Sequence, residues 1–306
     1  MADRSAPVDV PGHAHRTGGG RSGLLPHRAH SASRGRLWSA ISVALAAVGC
    51  APPGPRAPES ATDALRHTLQ ADTASPPVSY LRAGDSGGPR VILVHGTPGS
   101  AASWADYLLD PPPGVEVIAI DRPGFGASGP DGAMTDLASQ AAAVAALLPD
   151  NGRSAVLVGH SLGGPVVARV AIDHPTRVSG LVLLAASLDP AQESIHPLQH
   201  VGTWPMVRGL LPRAIRNANA ELMALKPELE ALATMLPRVR ADVVIVHGTQ
   251  DDLVPVANVP FMQARLTGAR SVQTVLLDGR NHFLPWNSPQ AVRAAVAQAL
   301  GTSRAE

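Results

Sequence analysis

Between residues 78 and 300 the sequence alternates short β-branched apolar runs with longer stretches of helical periodicity, and that rhythm leaves few folds open. The runs fall near Val78–Arg82, Val91–Val94, Val115–Ile120, Ser154–Val158, Val178–Leu184, Val243–Val246 and Val272–Leu277. A run that is apolar at nearly every position, rather than at every second one, belongs to a strand covered on both faces. Helical patterns occupy Thr135–Leu148, Leu162–His174, Val256–Leu266 and Ser288–Leu300. Strands separated by helices pair in parallel, so the expected fold is α/β, a mostly parallel central sheet flanked by helices. The 306-residue chain is 45% apolar, enough to fill such a core. Aromatic residues are 3% of it, too few to offer stacking platforms to a single-stranded nucleic acid. Its basic surplus sits in the leader, where Arg4, Arg16, Arg21, Arg28, Arg34 and Arg36 face only Asp3 and Asp9, so no nucleic-acid partner is expected.

The rhythm breaks once. From Leu184 to Ala241 no strand pattern occurs, and Pro190, Pro197, Pro205, Pro212, Pro227 and Pro237 punctuate helix-prone sequence. A gap of that length exceeds a crossover loop and predicts a small helical cap over residues 187–240. Its apolar residues, among them Leu198, Trp204, Met206, Leu210, Leu211, Met223 and Leu225, are expected mainly to pack the cap onto the body, with some lining a pocket.

The N-terminal region divides into a leader over residues 1–49, a linker over 50–77 and a folded domain over 78–300. Leu37–Val48 is an apolar stretch behind Arg34 and Arg36, too short for the roughly 20 residues that span a bilayer and suited to a secretory signal. Residues 51–59 carry four prolines and form neither helix nor central strand, as a spacer would. A short helix capped by Ser60 is expected over Ser60–Gln70.

The chemistry centres on Gly159-His160-Ser161-Leu162-Gly163-Gly164, which follows the Ser154–Val158 strand. A tight strand-to-helix turn holds the central serine in a strained conformation with its hydroxyl exposed, and residues without Cβ let strand and helix close on it. A serine hydroxyl needs a base titrating near neutrality, which points to His282, on the loop after the last strand. Parallel strands bring their carboxyl ends to one edge, so Ser161 and His282 can meet there. The imidazole in turn needs an orienting carboxylate, for which Asp251 after strand Val243–Val246 is placed, with Asp252 and Asp189 as alternatives. Leu162 N–H, at the start of the following helix, is one expected oxyanion donor. The second is expected from the His95-Gly96-Thr97-Pro98 loop, where Pro98 has no N–H to give; His95 is expected to brace the loop. His13, His15, His27 and His30 lie in the leader and lack the spacing of a zinc site, so no metal is expected.

Four segments together resemble the α/β-hydrolase fold superfamily of serine esterases and lipases. They are His95-Gly96-Thr97-Pro98-Gly99, Asp121-Arg122-Pro123-Gly124-Phe125-Gly126-Ala127-Ser128, the Ser161 turn, and Gly248-Thr249-Gln250-Asp251. The resemblance covers residues 78 to 300 and implies a serine hydrolase without cofactor. Its nucleophile would be Ser161, its base His282 and its acid Asp251, which stands three residues after the motif glycine. The resemblance, added to the elimination of Pro98, implies Thr97 as the second oxyanion donor. A small-molecule ester is the implied substrate. Haloperoxidase-like chemistry, carbon–carbon bond hydrolysis and a binding or receptor role on the same scaffold stay open. The relatives that place an aspartate at the nucleophile position are excluded by Ser161. Ala47-Val48-Gly49-Cys50 further resembles a bacterial lipobox, which implies lipid on Cys50 and an exported, membrane-anchored protein.

Overall fold

The computed structural model describes residues 59–70 and 76–302. Cys50 and the leader lie outside the described residues. The chain runs through β1 (Arg66–Leu69), β2 (Val78–Gly84), β3 (Arg90–Val94), α1 (Ala105–Leu109), β4 (Glu116–Ile120), α2 (Leu137–Ala145), β5 (Ala155–His160), α3 (Gly163–Asp173) and β6 (Val178–Leu184). It continues with α4 (Pro197–Val201), α5 (Pro205–Leu210), α6 (Arg213–Met235), β7 (Asp242–Gly248), α7 (Asn258–Arg265), β8 (Ser271–Leu277), α8 (Leu284–Asn287) and α9 (Pro289–Thr302). The eight strands form one sheet in the order β1-β2-β4-β3-β5-β6-β7-β8. The β1–β2 and β2–β4 pairs are antiparallel, and every pair beyond them is parallel.

The continuous apolar runs have a plain cause in this layering. Successive residues of one strand point to opposite faces, and both faces are covered. On one face Ile92, Val94, Ile118, Ile120, Leu157, Leu181, Leu183, Val243 and Ile245 join a core with α2, α3, α6 and α7. On the other, Val91, Leu93, Val117, Ala119, Val156, Val158, Val182, Leu184, Val244 and Val246 pack against Trp104, Tyr107 and Leu108 and against Val292, Ala295 and Ala299 of α9. Asp136 starts α2 by accepting the Ser139 N–H at 2.7 Å, satisfying one otherwise unpaired helix-end donor.

The Ser60–Gln70 segment departs from expectation. It is a 3₁₀ turn over Glu59–Leu65 followed by strand β1, so the sheet begins within residues assigned to the linker. The strand is held by partners distant in sequence rather than by an apolar pattern. Arg66 donates to Ser79 Oγ and to Asp121 Oδ2, each at 2.7 Å, and His67 stacks on Tyr80. Pairing of this kind overrides local propensity.

The interval 187–240 holds α4, α5, α6 and two 3₁₀ turns. Helix α6 is its long member, and Leu225, Leu229 and Leu232 anchor it in the core. The two short helices before it bury nothing: Leu198, Trp204, Met206 and Leu210 stand exposed, whereas Leu225 is buried. The N-terminal half of α6 is strapped to the loop after β4. Arg213 donates to the carbonyls of Gly126, Ser128 and Pro130, and Asn217 to those of Gly124 and Asp131.

Candidate active site

The sheet order explains why separate motifs meet. Strand β3 lies between β4 and β5 with Val94 level with Gly159, so the loop beginning at His95 leaves the sheet beside the turn that carries Ser161. The crevice beyond the carboxyl ends of strands at such a reversal of order is where parallel sheets bind ligands. One step further along, Leu184 is level with His160 and with Val246, and Gly248 with Leu277. The loops that carry Asp251 and His282 therefore emerge at the same edge.

Ser161 sits at φ +55°, in the left-handed region that costs a non-glycine residue of order 1–3 kcal/mol and persists only where surroundings enforce it. The enforcement comes from close packing of the turn. A Cβ on Gly163 would lie 2.4 Å from the Val94 carbonyl oxygen, and one on Gly159 would lie 2.4 Å from the Gly163 carbonyl oxygen. Helix α3 thus starts hard against β3 and β5, with Ser161 at its head.

Asp251 and His282 are in direct contact. Asp251 Oδ2 lies 2.8 Å from His282 Nδ1, and both residues are buried. Asp251 Oδ1 accepts the N–H groups of Leu253 and Val254 at 3.0 and 2.8 Å, which fixes the carboxylate plane. Asp252 is exposed. Asp189 is engaged elsewhere, its oxygens accepting Ala191 N–H and Gln192 Nε2 at the start of a 3₁₀ turn. Ser161 is tied to His282 through its neighbour. His160 Nε2 donates to the His282 carbonyl at 3.0 Å, and the two imidazoles pack with centroids 4.8 Å apart.

Three further histidines brace this centre. His160 is pushed down to about 3, first by burial and then by His282 beside it, so it is neutral. His247 donates from Nε2 to the Val254 carbonyl at 2.9 Å and lies 3.6 Å from Asp251 Oδ2; burial is the main cause of its lowered pKa. His95 is held well below the ordinary histidine range by burial and then by Arg122. Its Nε2 accepts the Arg122 N–H at 3.0 Å, so the proton resides on Nδ1, which donates to the Gly96 carbonyl at 2.7 Å.

The donor loop lies against the serine. A Cβ on Gly96 would come 2.8 Å from Ser161 Cβ, so this position tolerates no side chain. Among the described residues, no acceptor takes the N–H of Thr97 or of Leu162. The Thr97 hydroxyl is likewise buried without a partner. The bracing roles of His160 and His247 are not readable from the sequence, although His160 directly precedes the nucleophile and His247 directly precedes the glycine of the Asp251 motif.

These features coincide with a family. The profile of the alpha/beta hydrolase family matches residues 91–295, and the chain belongs to that family. Among curated proteins it is 40% identical over 110 residues to the dihydrolipoyllysine-residue acetyltransferase component of the acetoin cleaving system of Cupriavidus necator, covering 35% of this chain and 29% of that protein. It is 34% identical over 143 residues to the pimeloyl-[acyl-carrier protein] methyl ester esterase of Photorhabdus laumondii, covering 47% of this chain and 49% of the esterase. The chain thus spans half or less of the length of these two relatives. Among solved structures, a membrane phospholipase A described as a bacterial virulence factor superposes with a TM-score of 0.61 at 22% identity, over 88% of this chain and 94% of that one. At that identity the likeness concerns the fold.

Proposed function

We propose that this chain is a serine hydrolase that cleaves carboxylic esters through an acyl-enzyme, with Ser161 as nucleophile, His282 as base and Asp251 as orienting acid. The observation that carries the reading is the buried His282–Asp251 contact at 2.8 Å, at the sheet edge where Ser161 is held at φ +55°. Two backbone N–H groups occupy Asp251 Oδ1, which leaves Oδ2 to receive the His282 Nδ1 proton. Nε2 then carries the lone pair. It takes the Ser161 hydroxyl proton as Oγ bonds to the ester carbonyl carbon and the carbonyl electron pair moves to oxygen. The N–H groups of Thr97 and Leu162 receive that oxyanion, a contribution worth about 10²–10³ in rate per donor. Collapse of the adduct expels the alcohol oxygen, which leaves with the proton from His282. A water molecule gives a proton to the same imidazole and attacks the acyl carbon. The carboxylic acid departs as Ser161 Oγ recovers its proton.

An ester substrate is supported by the Photorhabdus relative, itself named a methyl ester esterase. The test is incubation of the folded protein with a fluorophosphonate probe and with p-nitrophenyl esters of graded acyl length, alongside Ser161→Ala. The wild type is expected to label and to turn over at least the shorter esters, and the variant to do neither. A folded wild type that neither labels nor hydrolyses any of the esters would overturn the reading.

A further inference from the structure

Arg122 is 0% exposed, two residues after the end of β4, and its guanidinium spans two parts of the molecule. Nε donates to the His95 carbonyl at 2.9 Å and one terminal nitrogen to the Gly96 carbonyl at 3.0 Å. The two terminal nitrogens also grip the Glu221 carboxylate of α6 at 2.7 and 3.0 Å, and one reaches Gln140 Oε1 of α2 at 3.2 Å. All five N–H donors of the side chain are thereby engaged. Glu221 is 2% exposed and accepts Gln140 Nε2 as well, so its position is fixed from two sides.

The loop end of this network bears on the oxyanion donor. The Gly96 carbonyl receives both Arg122 and the His95 Nδ1 proton, which occupies its two lone pairs. The Gly96–Thr97 peptide is not among the cis bonds, and in a trans peptide the N–H points opposite to the carbonyl. Holding the Gly96 oxygen on the Arg122 side therefore turns the Thr97 N–H the other way. Gly96 itself packs against Ser161, with room for no Cβ.

We propose that Glu221, on the long helix of the cap, is a positioning residue: through the buried Arg122 guanidinium it fixes the Gly96–Thr97 peptide so that the Thr97 N–H is aimed at the developing oxyanion. This rests on the serine-hydrolase reading and extends the machinery into the cap. A buried ion pair is a poor device for stability alone, because an apolar pair of similar volume often serves as well or better. What the charged pair adds is direction, since a bidentate carboxylate fixes the plane of the guanidinium and hence the carbonyls it holds.

Glu221→Gln, nearly isosteric, is the first test, with wild-type turnover of a p-nitrophenyl ester as reference. The expected result is a kcat lower by roughly tenfold or more, as for small misplacements of catalytic groups, with KM close to the wild-type value. Affinity for a trifluoromethyl ketone, which forms a tetrahedral oxyanion adduct on the serine, should weaken in parallel. The second test, which keeps the proposal falsifiable should Glu221→Gln fail to fold, is the double variant Arg122→Met/Glu221→Met, which removes both charges together. It should fold and still show the depressed kcat. A folded Glu221→Gln protein with wild-type kcat, or a double variant that regains wild-type kcat, would overturn the proposal. Absence of turnover by the wild type would instead overturn the hydrolase reading beneath it.

Discussion

Asp251 is distinguished from its neighbours by how completely its oxygens are used. Oδ1 serves Leu253 and Val254 N–H, and Oδ2 serves His282. Replacing it with Asn keeps an acceptor for the two backbone donors but presents an NH₂ group to His282 Nδ1. The imidazole then places its proton on Nε2, which leaves that atom without the lone pair the proposed base requires. On the proposed mechanism, Asp251→Asn is expected to fold normally and to lower kcat roughly 10⁴-fold, as loss of the correct tautomer does in Ser-His-Asp triads. Asp189→Asn should stay within a few-fold of wild type, because that side chain caps a turn and Asn caps comparably. Steady-state ester kinetics on the two variants decide the assignment; the reverse ranking would move the acid to Asp189. That Ser161, Asp251 and His282 lie at one edge of the sheet was legible in the sequence, because each follows an apolar run at the carboxyl end of a parallel strand. Arg122 and Glu221 were not, for a physical reason. Their partnership joins positions 99 residues apart and leaves no periodic trace: Glu221 shares its buried helix face with Asn217 as well as with Leu225, Leu229 and Leu232, so nothing in the pattern singles it out.

At the scale of elements, the contact that sets the serine turn is the approach of α3 to β3. A methyl on Gly163 would lie 2.4 Å from the Val94 carbonyl oxygen and 2.8 Å from that of His95, both backbone atoms that cannot rotate aside. The helix must retreat to admit it. Gly163→Ala is expected to cost about 1–3 kcal/mol of stability, the range for overpacked cores, and to reduce activity further because Ser161 moves with the helix. Urea denaturation together with ester turnover checks both effects, and an alanine variant of wild-type stability and rate would contradict the packing account. The central strands and flanking helices were readable because burial on two faces writes continuous apolar runs into β3 through β7. Strand β1 was not readable. Arg66-His67-Thr68-Leu69 has no apolar signature and becomes a strand only through Ser79, Asp121 and Tyr80, which local patterning cannot register.

The whole molecule carries a pH dependence that follows from the way its site is braced. His95, His160 and His247 are buried, and each is held neutral in the folded protein. In the unfolded chain each titrates near its ordinary value of about 6.5; in the fold all three are lowered, His160 to about 3. Below pH about 6.5 the unfolded chain therefore binds protons that the native state refuses, and stability falls as the pH falls. The contribution of these groups is fully present above the unfolded value and is lost progressively down to the folded values, at up to about 1.4 kcal/mol per pH unit for each histidine. Glu193 works against this trend. Burial raises its pKa, so the native state holds its proton more tightly, and that gain grows as the pH falls through the folded value. One carboxyl offsets one histidine at most, so the net slope remains set by the histidines. The urea midpoint is expected to decline between pH 7.5 and 5. His160→Asn, whose amide can still donate toward the His282 carbonyl, should flatten that decline by up to about 1.4 kcal/mol per pH unit, chiefly below pH about 6.5. A decline equally steep in the variant would mean that His160 accepts a proton inside the fold, which its burial beside His282 forbids.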